Sequence, residues 1–264
     1  MVHVLVERGR LCGLPGGATL RRSHRPGPPA VARVAAERTR DPKARARTIG
    51  EVPMFLAAVV QLNSTTDVEA NWRESSRLIE RAAGYGARLV ATPENTNYLG
   101  PLAEKVRTAE GLDGPTCRRF AALAGRLGVH LLLGSFNERA DEPARCHNTS
   151  VLFGPDGAIV ASYRKVHLFD VDLSESVRSR ESAAIKPGTQ AVVAATPLGR
   201  LGLSVCYDLR FGNLYRRLVA EGAEILCVPA AFTLTTGRDH WEPLLRARAI
   251  ECQCFVLAPA QYGR

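Results

Sequence analysis

The sequence predicts an α/β fold in which helices pack outside sheets. Three observations carry this. Short apolar runs alternate with segments of helical periodicity. Their order reads βαβαβββ and later βαβαβ, the pattern of layered α/β domains. One stretch also recurs: "YGARLVATPEN" (85–95) and "EGAEILCVPAA" (221–231) share Gly-Ala-x-apolar-apolar-x-x-Pro, each behind a helical segment. That echo implies two related helix–strand units within one domain.

"MFLAAVVQLN" (54–63) is a short apolar run closing on polar residues, a buried strand. In the following segment Val68, Trp72, Ser75, Ile79 and Ala82 share one helical face, with Asp67 placed to cap the start and Gly84 or Gly86 the end. "ARLVATPE" is the next strand. "GPTCRRFAALAGRLG" is a second helix, with Pro115 suited to its first turn and Gly128 to its end. "VHLLLGSFNE" is a strand. "CHNTSVLFGPDGAIVASYRKVHLF" reads as a hairpin about Gly154-Pro-Asp-Gly157. "VVAATPLGRLGLSVCYD" reads as another, turning at Pro197–Gly199. A helix (213–221), a strand (223–230), a helix (239–251) and a strand (254–261) complete the series.

The 264 residues are 45% apolar and 23% charged, ordinary values for a globular chain with a sizeable core. The net charge of +9 is unevenly placed. Residues 1–50 hold eleven Lys/Arg against three acids, leaving 24 basic and 23 acidic residues for 51–264. The body therefore carries no nucleic-acid footprint. The Gly-, Pro- and Arg-rich segment 1–53 reads as a basic, disordered tail, since such composition buries too little surface to offset chain entropy. A transit peptide, a basic arm and a misassigned start remain open for it; Met54 directly precedes the first strand. No apolar run approaches the ~18 residues needed to cross a bilayer. Seven scattered cysteines without a C-x-x-C pair argue against a disulfide framework and for a reducing, cytoplasmic setting, or a mitochondrial one if the tail is a transit peptide. The six histidines form no H-E-x-x-H, so no metal signature stands out.

Three strand-end residues offer chemistry together. Taken singly, Cys206 reads as a small buried hydrophobe, Glu94 as a helix cap and Lys165 as a solvated lysine. Jointly they supply a nucleophile, a base and a cation. A thiol near its free pKa of ~8.5 is only a few per cent thiolate at neutral pH, so a carboxylate in reach is needed to take its proton. Attack on an amide or nitrile carbon builds negative charge, which a lysine ammonium and the backbone N–H of Tyr207 would stabilise.

"PE" after a strand, "YRKVHLFD" and "GLSVCYDLRF", in this order and separated by 71 and 41 residues, resemble the three motifs of the nitrilase, or carbon–nitrogen hydrolase, superfamily. "HWEPLLRARAIECQCFVLAPAQYGR" is similar to the segment that follows the nucleophile there. The resemblance covers residues 54–264. It implies a four-layer α-β-β-α sandwich, a Glu94–Lys165–Cys206 triad, no cofactor, and a homodimer or larger homo-oligomer. By position it makes Glu94 the general base, Lys165 the oxyanion stabiliser, Cys206 the nucleophile, and Glu181, before Pro187-Gly188, the group that orients the lysine. "CYDLRF" with "RARAIE" most resembles the Nit branch, which acts on ω-amides of α-keto acids such as deaminated glutathione or α-ketoglutaramate. Arg210 would then meet a substrate carboxylate, or alternatively pair with Asp208, while Phe232 and Thr236 would line the pocket.

Two departures follow from the comparison of patterns. Asn95 stands directly after the glutamate and the nearest aromatic is Tyr98, which leaves the substrate class open. The family pattern continues past Arg264, so the last C-terminal strands are expected to be absent from the 54–264 domain. The alternatives are an N-carbamoyl amino acid amidohydrolase or a nitrilase with the same triad, and an inactive, truncated interaction module. No G-x-S-x-G is present for a serine hydrolase.

Overall fold

A computed structural model describes residues 2–3, 54–174 and 177–263. In chain order the elements are β1 (Val2–His3), β2 (Leu56–Val60), α1 (Val68–Gly84), β3 (Ala87–Ala91), α2 (Leu102–Arg107), α3 (Pro115–Leu127), β4 (His130–Arg139), β5 (Cys146–Phe153), β6 (Ile159–Arg164), β7 (Asp170–Ser174), β8 (Val177–Arg180), β9 (Val192–Thr196), β10 (Gly199–Leu203), α4 (Gly212–Ala220), β11 (Ile225–Cys227), α5 (Leu234–Cys252) and β12 (Phe255–Leu257). Short 3₁₀ turns span Glu181–Ala183 and Cys206–Arg210. Of the 1–53 segment only β1 is described, antiparallel to Val59–Val60 of β2; the tail reading otherwise lies outside the described residues.

Two sheets form the centre. One has the order β1-β2-β3-β4-β5-β6, the other β12-β11-β10-β9. The period of two is visible in what each strand buries. Ala57, Val59, Leu89, Ala91, Leu132 and Leu152 join a core with Leu201, Leu203, Ile225 and Leu257 of the second sheet. Their neighbours Ala58, Val60, Val90, Leu131, Leu133, Val151 and Phe153 turn the other way, onto α1 and α3 through Ile79 and Phe120. On the second sheet α4 lies close enough that a Cβ at Gly202 would press on Leu218. The result is an α-β-β-α sandwich. Among the described residues no helix is long and apolar enough to cross a membrane.

Local chemistry explains the boundaries. Asp67 caps α1 by accepting from the Ala70 N–H. Pro115 opens α3, and Gly128 closes it in the left-handed region at φ 64°. Gly157, φ 79°, turns the β5–β6 hairpin. The echoed segments occupy equivalent places: β3 runs parallel between β2 and β4, and β11 parallel between β10 and β12.

Three parts differ from the sequence expectation. The last helix starts at Leu234, five residues early, because Thr233 accepts from the Thr236 N–H; Pro243 is accommodated inside it. The strands expected over 223–230 and 254–261 are regular only over three residues each and continue as the isolated Ala230–Ala260 and Leu62–Gln261 bridges. Helix α2 and the β7–β8 hairpin were not foreseen; neither has clear periodicity in "LAEKVR", "DVDLS" or "VRSR".

Candidate active site

Glu94, Lys165 and Cys206 each follow a strand of the sandwich: β3, β6 and β10. Strand ends of open α/β sheets are where loops can gather side chains without interrupting ladder hydrogen bonds. Here the three groups meet. They are buried, at 3%, 2% and 7% exposure respectively.

Lys165 is the hub. Its Nζ donates to Glu94 Oε1 at 2.9 Å and to both oxygens of Glu181, at 3.1 and 2.9 Å. Glu181 also accepts from the Phe169 N–H at 2.6 Å. Glu94 Oε2 accepts from the Ala231 N–H at 2.9 Å. Its own carbonyl accepts from Gln261 Nε2. The Cys206 thiol faces the Glu94 carboxylate and the Ala231 N–H. Among the described residues Cys206 is one of three non-glycine residues with positive φ, at 51°, and its N–H donates to Pro229 O at 2.8 Å. A residue with a Cβ held there is strained, and the surrounding bonds maintain it.

Asp208 ties the cysteine turn to the lysine strand. Its Oδ2 accepts from the Val205 N–H and the Tyr163 hydroxyl, and its Oδ1 from the His167 N–H, with His167 Nδ1 at 2.7 Å. His167 stacks on Phe211, ring centroids 3.7 Å apart. With its oxygens so engaged, Asp208 is not the partner of Arg210. That alternative is corrected: the Arg210 guanidinium lies over the Tyr207 and Phe232 rings and 3.3 Å from His240 Nδ1.

The electrostatics set the resting protonation. Burial alone would raise Glu94, but the Lys165 charge, hydrogen bonds from Cys206 and Lys165, and the Lys105 charge outweigh it and hold the carboxyl below its ordinary value. Burial and the Glu94 charge push the Cys206 thiol well up, against the pull of Lys165. Burial opposes the Lys165 charge, yet Glu94, Glu181 and Cys206 hold its ammonium well above its usual range. The resting site is thus thiol, carboxylate and ammonium.

A cavity of about 310 Å³ opens onto this cluster. All eight residues singled out from the sequence line it: Glu94, Lys165, Glu181, Cys206, Tyr207, Arg210, Phe232 and Thr236. Tyr98 is buried but does not line it. Two residues were missed. Asn148, inside β5, donates to Glu94 Oε1 at 2.8 Å and Glu181 Oε1 at 3.3 Å. A polar amide within "CHNTSVLF" was the available signal. Lys105 on α2 lines the cavity and donates to Asn95 Oδ1 at 2.6 Å. No group of three or more His, Cys, Asp or Glu suited to a metal ion occurs among the described residues.

Two facing sheets with a buried Cys–Glu–Lys cluster at their strand ends define a hydrolase fold of the nitrilase type. The chain belongs to the carbon–nitrogen hydrolase family, whose model matches residues 56–264. It is similar to the deaminated glutathione amidase of Synechocystis, 43% identical over 212 residues covering 79% of this chain and 78% of that one. It also resembles the crystal structure of the C. elegans NitFhit protein, TM-score 0.75 and 39% identity over 80% of this chain; it spans about half, 52%, of that longer protein. A third likeness is to a Nesterenkonia amidase variant with the acetamide moiety of fluoroacetamide added covalently at its active-site cysteine, TM-score 0.67 and 25% identity, covering 78% of this chain and 75% of that one.

Proposed function

We propose that this hydrolase is an amidase acting on a small ω-amide of a 2-oxo acid, of the deaminated glutathione type, with Cys206 as nucleophile. The observation that carries the reading is the Lys165 ammonium shared between Glu94 and Glu181 beside a buried thiol on an accessible cavity. The substrate class is taken from the similarity to deaminated glutathione amidases.

As the thiol attacks, its proton passes to Glu94, so thiolate forms only as the C–S bond forms. Oxygen charge in the tetrahedral intermediate is met by Lys165 and the Tyr207 N–H. Collapse breaks the C–N bond, and protonated Glu94 gives its proton to the leaving amine. Glu94, again a carboxylate, deprotonates water, which adds to the thioester. The acid departs and Cys206 regains its proton from Glu94. Glu181 keeps Lys165 in place, while Arg210 meets a substrate carboxylate and Phe232 and Thr236 bound the pocket. A homodimer or larger assembly is supported by the exposed apolar Leu234 and Ile250 on α5, and sedimentation tests it.

The test is ammonia or amine release from keto-acid ω-amides, N-carbamoyl amino acids and nitriles, with Cys206→Ser alongside. Turnover of the keto-acid amide that falls by about 10⁴-fold or more in the variant is expected. Preferential nitrile or carbamoyl turnover, or activity surviving in Cys206→Ser, would overturn the reading.

A further inference from the structure

The cavity wall holds three cations, Lys105, Lys165 and Arg210, against two carboxylates, Glu94 and Glu181. Both carboxylates are already bonded to Lys165. Lys105 is only 7% exposed, and among the described residues no carboxylate lies within ion-pair distance of it. Among the described residues its one side-chain hydrogen bond is to Asn95 Oδ1. An ammonium carries three N–H donors, so two remain for whatever enters the cavity. Burying such a charge without a close partner is costly, and side chains of this kind are usually answered by a ligand or a counter-ion.

The setting is built. Asn95 adopts φ 59°, its N–H donates to Ser135 Oγ, and its amide oxygen thereby points at Lys105. Burial pulls the Lys105 ammonium below its usual range, with the Glu94 and Glu181 charges opposing and the Lys165 charge adding to the shift. Buried and lining the cavity together with Glu94, Glu181 and Lys165, it belongs to the deep part. Arg210 is only half-buried and stands beside the exposed His240. During turnover the acyl half of the substrate stays on Cys206 while the amine half departs. A deep cation suits the half that stays, and a cation toward solvent suits the half that leaves.

We infer that Lys105, held by Asn95, recognises a carboxylate at the far end of the acyl half of the substrate, leaving Arg210 for a carboxylate on the amine half. The inference rests on the amidase reading above and deepens it: the carboxylate that an ω-amide of a 2-oxo acid already carries is assigned to Lys105, and an anion on the departing amine to Arg210.

The experiment uses glutaramate and pentanamide, amides that differ by a carboxylate in place of a terminal methyl. In the unmodified protein glutaramate has the higher kcat/KM. In Lys105→Met the ratio of kcat/KM between the two falls about 10- to 100-fold, carried by KM, as expected for losing a charged hydrogen bond. A ratio unchanged in Lys105→Met, an equal kcat loss on both amides, or a ratio lost as fully in Arg210→Met would overturn the assignment. Should Lys105→Met fail to fold, inhibition of the unmodified protein decides: glutarate must bind at least about 10-fold more tightly than pentanoate, and equal binding refutes the idea. If the unmodified protein cleaves neither amide, calorimetric titration of glutarate against pentanoate still tests Lys105, while the amidase reading stands or falls separately on turnover of the keto-acid amide.

Discussion

Glu181→Gln tests how the lysine is held. The change keeps the side chain's shape but removes a negative charge that accepts 2.9 and 3.1 Å bonds from Lys165 and a 2.6 Å bond from the Phe169 N–H. The new amide NH₂ must face a donor on one side or the other. Removing one partner from a buried ion pair typically costs 3–5 kcal/mol, but Lys165 keeps Glu94, so a stability loss of about 2 kcal/mol is expected. Catalysis should suffer similarly. An ammonium drawn wholly to Glu94 is less free to meet the developing oxyanion, and a 1.5–3 kcal/mol loss of a charged hydrogen bond corresponds to a fall of about 10- to 100-fold in kcat, with KM little changed. The pH profile adds a sign. Glu94 must be ionised to act, so activity is present above its pKa and lost as pH falls through it. That pKa is already depressed, and deleting the nearby Glu181 charge depresses it further, so the acid limb of kcat/KM moves to lower pH. The assay is steady-state amide hydrolysis across pH 3–8 with a denaturant midpoint for stability. A kcat within twofold of the parent, or an acid limb moving upward, would refute the reasoning.

Asn148→Ala removes the bonds to both glutamates, and kcat should fall about 10-fold. Because Asn148 Oδ1 has no hydrogen-bond partner among the described residues, the denaturant midpoint should report a loss of no more than about 1 kcal/mol; a larger loss with normal kcat would contradict a positioning role. With its thiol pKa pushed well up, Cys206 should react with a neutral alkylating agent at a rate that climbs to pH 9 without levelling; a plateau near neutrality would mean a preformed thiolate. Gly134→Ala places a methyl group against the Thr92 and Pro93 carbonyls, backbone just before Glu94, and should cost about 3 kcal/mol by urea midpoint along with activity; a change under about 0.5 kcal/mol would show that the strand yields.

The sequence made the α/β layering, both hairpins, the main helices and the cluster itself legible, because each rests on local signals. Glu94, Lys165 and Cys206 sit where an apolar run stops, and Gly128 and Asp67 mark helix ends by their own chemistry. What stayed hidden depends on tertiary placement. Lys105 sits on a six-residue helix too short for a periodic pattern, and nothing in "LAEKVR" distinguishes a buried lysine from a solvated one. Asp208 looked like a neighbour for Arg210, whereas folding spends its oxygens on Tyr163, Val205 and His167. Asn148 was one polar letter in a buried strand whose target lies 54 positions earlier.

The base is fastened to distant stretches of chain. Glu94 Oε2 is held by the Ala231 N–H, 137 positions away, and its carbonyl by Gln261, 167 positions away. The first contact joins the loops behind the two echoed strands and the second comes from the loop behind β12, so neither half of the sandwich can arm the cysteine alone. A nascent or partly opened chain carries only an ordinary thiol. Reactivity is the last property to appear as the protein closes and the first to vanish as it opens, which makes turnover a sharper gauge of complete assembly than helix content.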